Sequence, residues 1–370
     1  MPSLQTSPFD FSCFARDYAE ARAKFRAAAE AAGGKLRTYV NPNTGPRGEE
    51  LATDAVWFGP ADARRVLVTI SATHGPEGFC GSGGQVDWLR AGGIAALPKG
   101  VAALFVHAIN PYGFAWLRRV TEEGVDLNRN YVDFAKPLPR NPGYEELKDA
   151  FLPPALEGPV FAAAEAKIEQ WRRAHGEKAF ETARSGGQYS HAQGFFFGGR
   201  EPTWARRTTE RIVADHGLAQ CDLVAVIDYH TGLGPYGYGE PICGHFPDTV
   251  MVKRAKRWYG ESVTEPELGT SSSVAKTGLG EYGWERMLGE KVTFVAIEYG
   301  TFPSESGRRA MRADHWLHAY GRVDWATPET QRIKQAVRRQ YYPDTDEWRE
   351  MMLWRSRQIL RQGLAGLAAG

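Results

Sequence analysis

The sequence predicts an α/β fold in a single domain, a mostly parallel mixed sheet with helices on both faces. Three observations predict it. Four short apolar runs, residues 65–71, 103–109, 223–228 and 292–297, are rich in β-branched residues and lack polar alternation, as strands buried on both faces do. Helix-like stretches separate these runs, which is the alternation expected of an α/β sheet. No internal repeat and no low-complexity linker divides the 370 residues.

Taken in order, residues 9–32 are rich in Ala, Arg and Glu, carry aromatics at Phe14, Tyr18 and Phe25, and stop at Gly33-Gly34, which predicts an N-terminal helix ended by glycine. Further helices are predicted within 83–90, 162–175, 204–216 and 252–259. Residues 136–142 and 261–283 carry Pro and Gly and read as long loops, because apolar strands resume after each. Residues 346–367 predict a last helix that frays into Ala and Gly. The domain is therefore read as 1–370, with a motif-bearing core at 64–301 and C-terminal helices at 306–367.

Composition narrows the function. With 45 Lys and Arg against 44 Asp and Glu, the net charge of +1 argues against a nucleic-acid partner, which would call for a basic excess or stripe. Residues 1–14 lack the basic start and apolar stretch of a secretory signal, and no run of 18 apolar residues occurs, so a cytoplasmic protein without a membrane partner is expected. Cys13, Cys80, Cys221 and Cys243 are scattered, which predicts reduced thiols rather than a disulfide framework or a zinc knuckle.

The chemistry lies just beyond each strand, because ligands of open α/β sheets bind outside the carboxyl ends of the strands. The four runs lead into His74-Gly75-Pro76-Glu77, Asn110-Pro111-Tyr112-Gly113-Phe114, Tyr229-His230-Thr231-Gly232 and Glu298-Tyr299-Gly300-Thr301. Two His and two Glu thus stand at the ends of three strands. His74, Glu77 and His230 supply the three N and O donors of a catalytic zinc site with one position left open. His74 and Glu77 would share a tight turn, with Gly75 and Pro76 between them. Asp228, two residues before His230 on the same strand face, would either orient that imidazole or be a satisfied structural carboxylate. Gly81-Ser82-Gly83 fails the Gly-x-Ser-x-Gly elbow because position 80 is Cys80, and no phosphate-cradling Gly-x-x-x-x-Gly-Lys loop is present.

Five blocks occur in order: His74-Gly75-Pro76-Glu77, Asn110-Pro111-Tyr112-Gly113-Phe114, Gly124-Val125-Asp126-Leu127-Asn128-Arg129-Asn130, Asp228-Tyr229-His230-Thr231 and Ala296-Ile297-Glu298-Tyr299. Together they resemble the zinc carboxypeptidase superfamily, the carboxypeptidase A-like metallopeptidases with their aspartoacylase and succinylglutamate desuccinylase relatives. The wording of the blocks is closest to an uncharacterised subfamily known as a domain of unknown function, and the resemblance spans 66–301. It implies a zinc carboxypeptidase-like fold, one Zn2+ per chain on His74, Glu77 and His230, and Glu298 as general base. It further implies that Asn128 and Arg129 grip a substrate carboxylate and that an arginine, Arg118 or Arg119, holds the oxyanion. For the capping segment at 261–283 the nominated tyrosine is Tyr282, with core packing as its other reading. His107 and His191 match no block and read as structural or exposed. The expected function is a zinc-dependent hydrolase that cleaves an amide bond next to a free carboxylate, of carboxypeptidase or N-acyl-amino-acid deacylase type, on a small-molecule or peptide substrate. The alternative is a non-catalytic metal- or ligand-binding protein on the same fold. Oligomeric state stays open.

Overall fold

The computed structural model describes residues 7–370. Seven strands, β1 (Lys35–Thr44), β2 (Glu50–Phe58), β3 (Arg65–Ile70), β4 (Val101–His107), β5 (Leu223–Tyr236), β6 (Gly239–Ile242) and β7 (Val292–Gly300), form one sheet in the order β1-β2-β4-β3-β5-β7-β6. The four runs predicted as strands are its centre: β4, β3, β5 and β7 lie side by side and parallel. Antiparallel pairs flank them, with β1 on β2, β2 on β4, and β6 on β7.

The three outer strands carry none of the apolar signal that marks the centre. β1 is mostly exposed and contains Pro42, and β6 is four residues long with Pro241 inside it. β1 is specified by pairing to an edge rather than by burial of its own side chains, and β6, though buried, is too short to show a pattern. In β2 the apolar run is broken by Asp54, which is fully buried and receives hydrogen bonds from Arg22 Nε at 2.7 Å and Arg26 at 2.9 Å.

The helices are α1 (Tyr18–Ala31), α2 (Gly78–Arg90), α3 (Pro111–Ala115), α4 (Pro142–Phe151), α5 (Gly158–His175), α6 (Glu177–Ser185), α7 (Trp204–Asp215), α8 (Val250–Tyr259), α9 (Gly280–Leu288), α10 (Ser304–Ala319), α11 (Pro328–Tyr341) and α12 (Asp346–Ala369). Alternate residues of the central strands enter two separate cores. Leu67, Phe105, Ile227 and Ile297 pack with α1, α2, α8 and α12, while Val68, Leu104, Val226 and Phe294 pack with α7 and α9. Both faces of the sheet are thereby covered, which is why these strands read as continuous apolar runs. A third core, with Tyr144, Leu147, Phe151, Phe180 and Met311, joins α4, α5 and α6 to α10.

Helix α2 is glycine-rich because it lies close on the sheet. A Cβ at Gly81 would stand 2.7 Å from Ser71 Cβ and 2.9 Å from Tyr229 Cβ. From the other end of the chain, α12 seals the same core through Trp348, which is fully buried, meets Tyr299 and Tyr342 edge-on, and donates its indole N–H to Gly300 O at 2.8 Å. Trp348→Ala is expected to lower the unfolding free energy by about 3–5 kcal/mol, and a denaturant titration that left the midpoint in place would refute this role. All four cysteines are buried and free. No described helix is long and apolar enough to cross a membrane.

Candidate metal centre

At the end of β3 the chain turns sharply upward out of the sheet. Ala72 takes φ +61°, a left-handed conformation that costs a non-glycine residue about 1–2 kcal/mol, and after Thr73 comes His74, in extended backbone ahead of a single 3-10 turn, Gly75–Glu77. Only glycine fits at position 75, where a Cβ would stand 1.9 Å from Gly113 C and 2.3 Å from Arg118 O. The turn thus jams the two ligand-type residues against the segment after β4. His230 and Asp228 come from β5, and the parallel register of β5 with β7 sets Glu298 directly beside His230.

His74, Glu77 and His230 converge: one potential ligand atom from each lies within 4.8 Å of the others, and all three residues are buried. Glu77 spans the pair, with Oε1 3.0 Å from His74 Nδ1 and Oε2 3.0 Å from His230 Nδ1. The far nitrogen of each ring meets a carboxylate. Read in the Nε2–H tautomer, His230 donates to Asp228 Oδ2 at 2.9 Å, whereas His74 Nε2 accepts from Arg119 NH2 at 2.9 Å and stands 3.2 Å from Asp126 Oδ1. Thr73 Oγ1 in turn donates to Asp228 at 2.8 Å. Asp228 behind His230 fixes that ring's orientation and leaves its Nδ1 lone pair facing inward, the arrangement found around protein-bound zinc, while His74 turns its own Nδ1 to Glu77. Two imidazole nitrogens, one carboxylate oxygen and an open side toward the pocket fit zinc in number and kind.

Burial opposes a charge on Glu77, but the imidazoles of His74 and His230 hold its carboxyl below the usual range. Burial likewise opposes protonation of His230, yet Asp228 and Glu77 keep that ring well above an ordinary imidazole. A cation at the centre would displace this proton. Glu298 behaves in the opposite way: burial, then the charge on Glu77, pushes its carboxyl up to about 7. Its Oε1 accepts from Leu233 N–H at 2.9 Å.

Of the two candidate arginines, the structure brings Arg119 to the centre and takes Arg118 away. Arg119 Nε donates to Asp126 Oδ2 at 2.9 Å and its NH1 reaches Glu77 Oε1 at 3.3 Å, with the guanidinium 5.0 Å from the Phe196 ring centre. Arg118 Nε instead donates to Asp314 Oδ2 at 3.1 Å, in a buried group with Lys334, and it does not line the pocket. Neighbouring residues on an irregular turn point apart, so one of them faces the cluster and the other ties α10 and α11 to the turn.

Asp126 caps the short turn Leu127–Arg129, accepting from Asn128 N–H at 3.0 Å. Asn128 and Arg129 both line the pocket. Asn128 Oδ1 accepts from Gly280 N–H at 2.6 Å, and among the described residues its Nδ2 has no hydrogen-bond partner. Arg129 donates to Ser185 O from Nε and NH2, at 3.2 and 2.7 Å, and to Asn128 O from NH1 at 2.7 Å, so among the described residues two of its five N–H groups have no partner. Burial pulls this guanidinium down to about 10.

Tyr282 is not where the capping reading needs it. The predicted loop 261–283 ends early, because α9 begins at Gly280, and on that helix Tyr282 stacks on Phe246 at 5.8 Å and is absent from the pocket lining. The tyrosine that does line the pocket is Tyr341, from the end of α11, outside the matched blocks. Lys276 and the buried carboxylate of Glu281 also line it, and burial pushes Glu281 up to about 7. Neither stands in a recognisable motif. His107 is buried against Ser82 Oγ at 2.9 Å and Phe25, and His191 sits beside Glu145, both away from the pocket.

Fold and site together define a mixed α/β protein with a buried two-imidazole, one-carboxylate centre at the carboxyl ends of its parallel strands. The chain belongs to the family described as Protein of unknown function (DUF2817), which residues 14–355 match. This is the uncharacterised subfamily to which the wording of the sequence blocks pointed. No curated protein matches the chain. Among solved structures it is similar to a metallo-carboxypeptidase from Burkholderia cenocepacia, at 12% identity and a TM-score of 0.38, covering 86% of this chain and 68% of that one. It is also similar to an aspartoacylase family protein from Mesorhizobium loti, at 16% identity and a TM-score of 0.37 over 79% and 68% of the two chains. A succinylglutamate desuccinylase from Silicibacter sp. is similar at 12% identity and a TM-score of 0.40, over 78% and 67%.

Proposed function

We propose that this protein is a zinc-dependent hydrolase that cleaves an amide bond next to a free carboxylate, with residues 1–370 acting as one cytoplasmic catalytic domain. The observation that carries the reading is the convergence of His74, Glu77 and His230 in one buried cluster, with Glu298 at the adjacent register position. These three residues would hold one Zn2+ per chain. When bound, zinc supplies Lewis acidity, polarising a carbonyl and lowering the pKa of water toward 7.

The rest of the chemistry belongs to side chains. Glu298, steadied by the Leu233 N–H, takes a proton from the attacking water and returns it to the nitrogen of the leaving amine. Arg119, held by Asp126, donates to the oxygen that gains negative charge. Asn128 Nδ2 and the two free N–H groups of Arg129 receive the substrate carboxylate, a pairing suited to a planar guanidinium. Among the described residues the hydrogen bonds of Arg129 go to neutral carbonyl oxygens, with Asp126 acting on it from a distance, which supports a role in meeting an anion from outside.

The reading is tested by hydrolysis of a panel of C-terminal peptides and N-acyl amino acids with zinc-loaded protein. Activity should vanish with a chelator and return with zinc; a zinc-replete protein that cleaves none of them would be the non-catalytic metal-binding alternative. On any substrate that is cleaved, Arg129→Ala should erase most of the preference for the free acid over its amide, roughly 10- to 100-fold in kcat/KM, with zinc retained. Equal wild-type rates on the two forms would remove Arg129 from carboxylate recognition.

A further inference from the structure

Beyond Arg129, the pocket holds a second cation that no sequence block marks. Lys276 lies on the segment between the turn Pro266–Leu268 and α9, and it lines the pocket together with Ser272, Ser273 and Val274. That segment is tied down at both ends. The buried Glu240 of β6 accepts from Ser271 Oγ at 2.8 Å, Ser272 N–H at 3.1 Å and Thr264 Oγ1 at 2.5 Å. On the other side Thr277 N–H donates to Gly186 O at 3.0 Å and Tyr131 N–H donates to Gly278 O at 3.1 Å. Gly278 presses on the backbone of Arg129 itself, where a Cβ would stand 2.1 Å from Arg129 O. Lys276 is therefore fixed beside the carboxylate-gripping segment rather than swinging in solvent.

Its ammonium is held by uncharged partners alone, donating to Ser273 Oγ and to Val274 O at 3.1 Å. Among the described residues no carboxylate stands within 4.0 Å of Lys276 or of Arg129. An ammonium has three donors, so one is left over for the pocket. Burial, helped by the charge of Arg129, pulls this ammonium down to about 7. Glu298 and Asp126 offset part of this charge from a distance, but neither cation has a carboxylate in direct contact, and an entering anion can pair with both.

We propose that Lys276 is a substrate-binding residue whose ammonium joins the Arg129 guanidinium in receiving the substrate carboxylate, an inference that rests on the hydrolase reading above. The site then reads its carboxylate from two separate chain segments, one before the α4–α6 insertion and one just before α9, and selects against neutral ends more strongly than one arginine alone.

The test compares the zinc-loaded wild type with Lys276→Met and Lys276→Arg. On a cleaved substrate, Lys276→Met should raise KM for the free acid roughly 10- to 100-fold, lower kcat far less, affect the amidated form far less, and keep its zinc. Lys276→Arg should recover most of the loss. An unchanged free-acid preference in Lys276→Met overturns the proposal, and so does an equal loss on both forms, which would make Lys276 a prop for the loop. A second arm needs no turnover: hippurate, with hippuramide as the neutral control, is titrated calorimetrically into wild type and Lys276→Met. Hippurate binding that is selective in the wild type and weakened in the variant supports Lys276 even if no amide is cleaved, in which case the hydrolase reading alone falls. Identical isotherms for the two proteins overturn the proposal.

Discussion

Glu298→Gln is expected to lower kcat by roughly 10²- to 10⁴-fold, the usual worth of a general base, while the protein keeps its zinc. The substitution preserves size and the acceptor oxygen that Leu233 N–H holds at 2.9 Å, so the local backbone has no reason to move. What disappears is the ability to take up a proton and give it back. Glu298 is suited to both halves of that task, because burial and the nearby charge of Glu77 push its carboxyl up to about 7, between a permanent anion and a permanent acid. Steady-state rates and metal analysis on the same preparation decide the point. Loss of zinc in the variant would make Glu298 a ligand, and an unchanged rate would exclude it from the reaction.

The second large effect is on metal content. Wild-type protein offered zinc should carry about one ion per chain, whereas His230→Ala or His74→Ala should leave the site nearly empty, since two remaining donors cannot complete a stable set. The comparison is informative because the two histidines come from different chain segments and have separate supports, Arg119 and Asp126 at His74 and Asp228 at His230. Metal analysis of all three proteins, with circular dichroism to show that the sheet persists, checks it. A wild type well under stoichiometric zinc, or alanine variants that hold it as firmly as wild type, would sink the centre as described.

Much of this was legible in the sequence, for physical reasons that can be named. The four central strands announce themselves because a strand covered on both faces must be apolar on both, and β3, β4, β5 and β7 feed two cores at once. Strand ends in such a sheet are where ligands gather, so His74, Glu77, His230 and Glu298 stood out by position as well as by type. Asp228 was visible as a companion of His230 from the two-residue period of a strand. Asp126 carries a weaker signal of its own: it opens the turn that holds Asn128 and Arg129, and a capping carboxylate there is free to face the centre.

Other features were not legible. β1, β2 and β6 exist through their neighbours' unpaired edges, and in β2 a buried Asp54 balanced by two arginines conceals the apolar run. Tyr282 lies elsewhere than expected because a loop-like composition conceals the start of α9 at Gly280, and one turn of helix redirects a side chain completely. Tyr341 reaches the pocket because the end of α11 is tied to β5, where Thr231 Oγ1 donates to Tyr341 O at 2.6 Å.

The sequence by itself determined the fold class, the parallel centre of the sheet and the residue types waiting at its carboxyl edge, since periodicity and burial are written locally along the chain. Only the tertiary structure decided that Arg119 rather than Arg118 meets Asp126 and Glu77, that Lys276 rather than Tyr282 lines the pocket, and that Arg119 and Asp126 stand behind His74. Those outcomes depend on distances between residues far apart in the chain. They are set by how irregular turns pack against one another, and no local pattern encodes that.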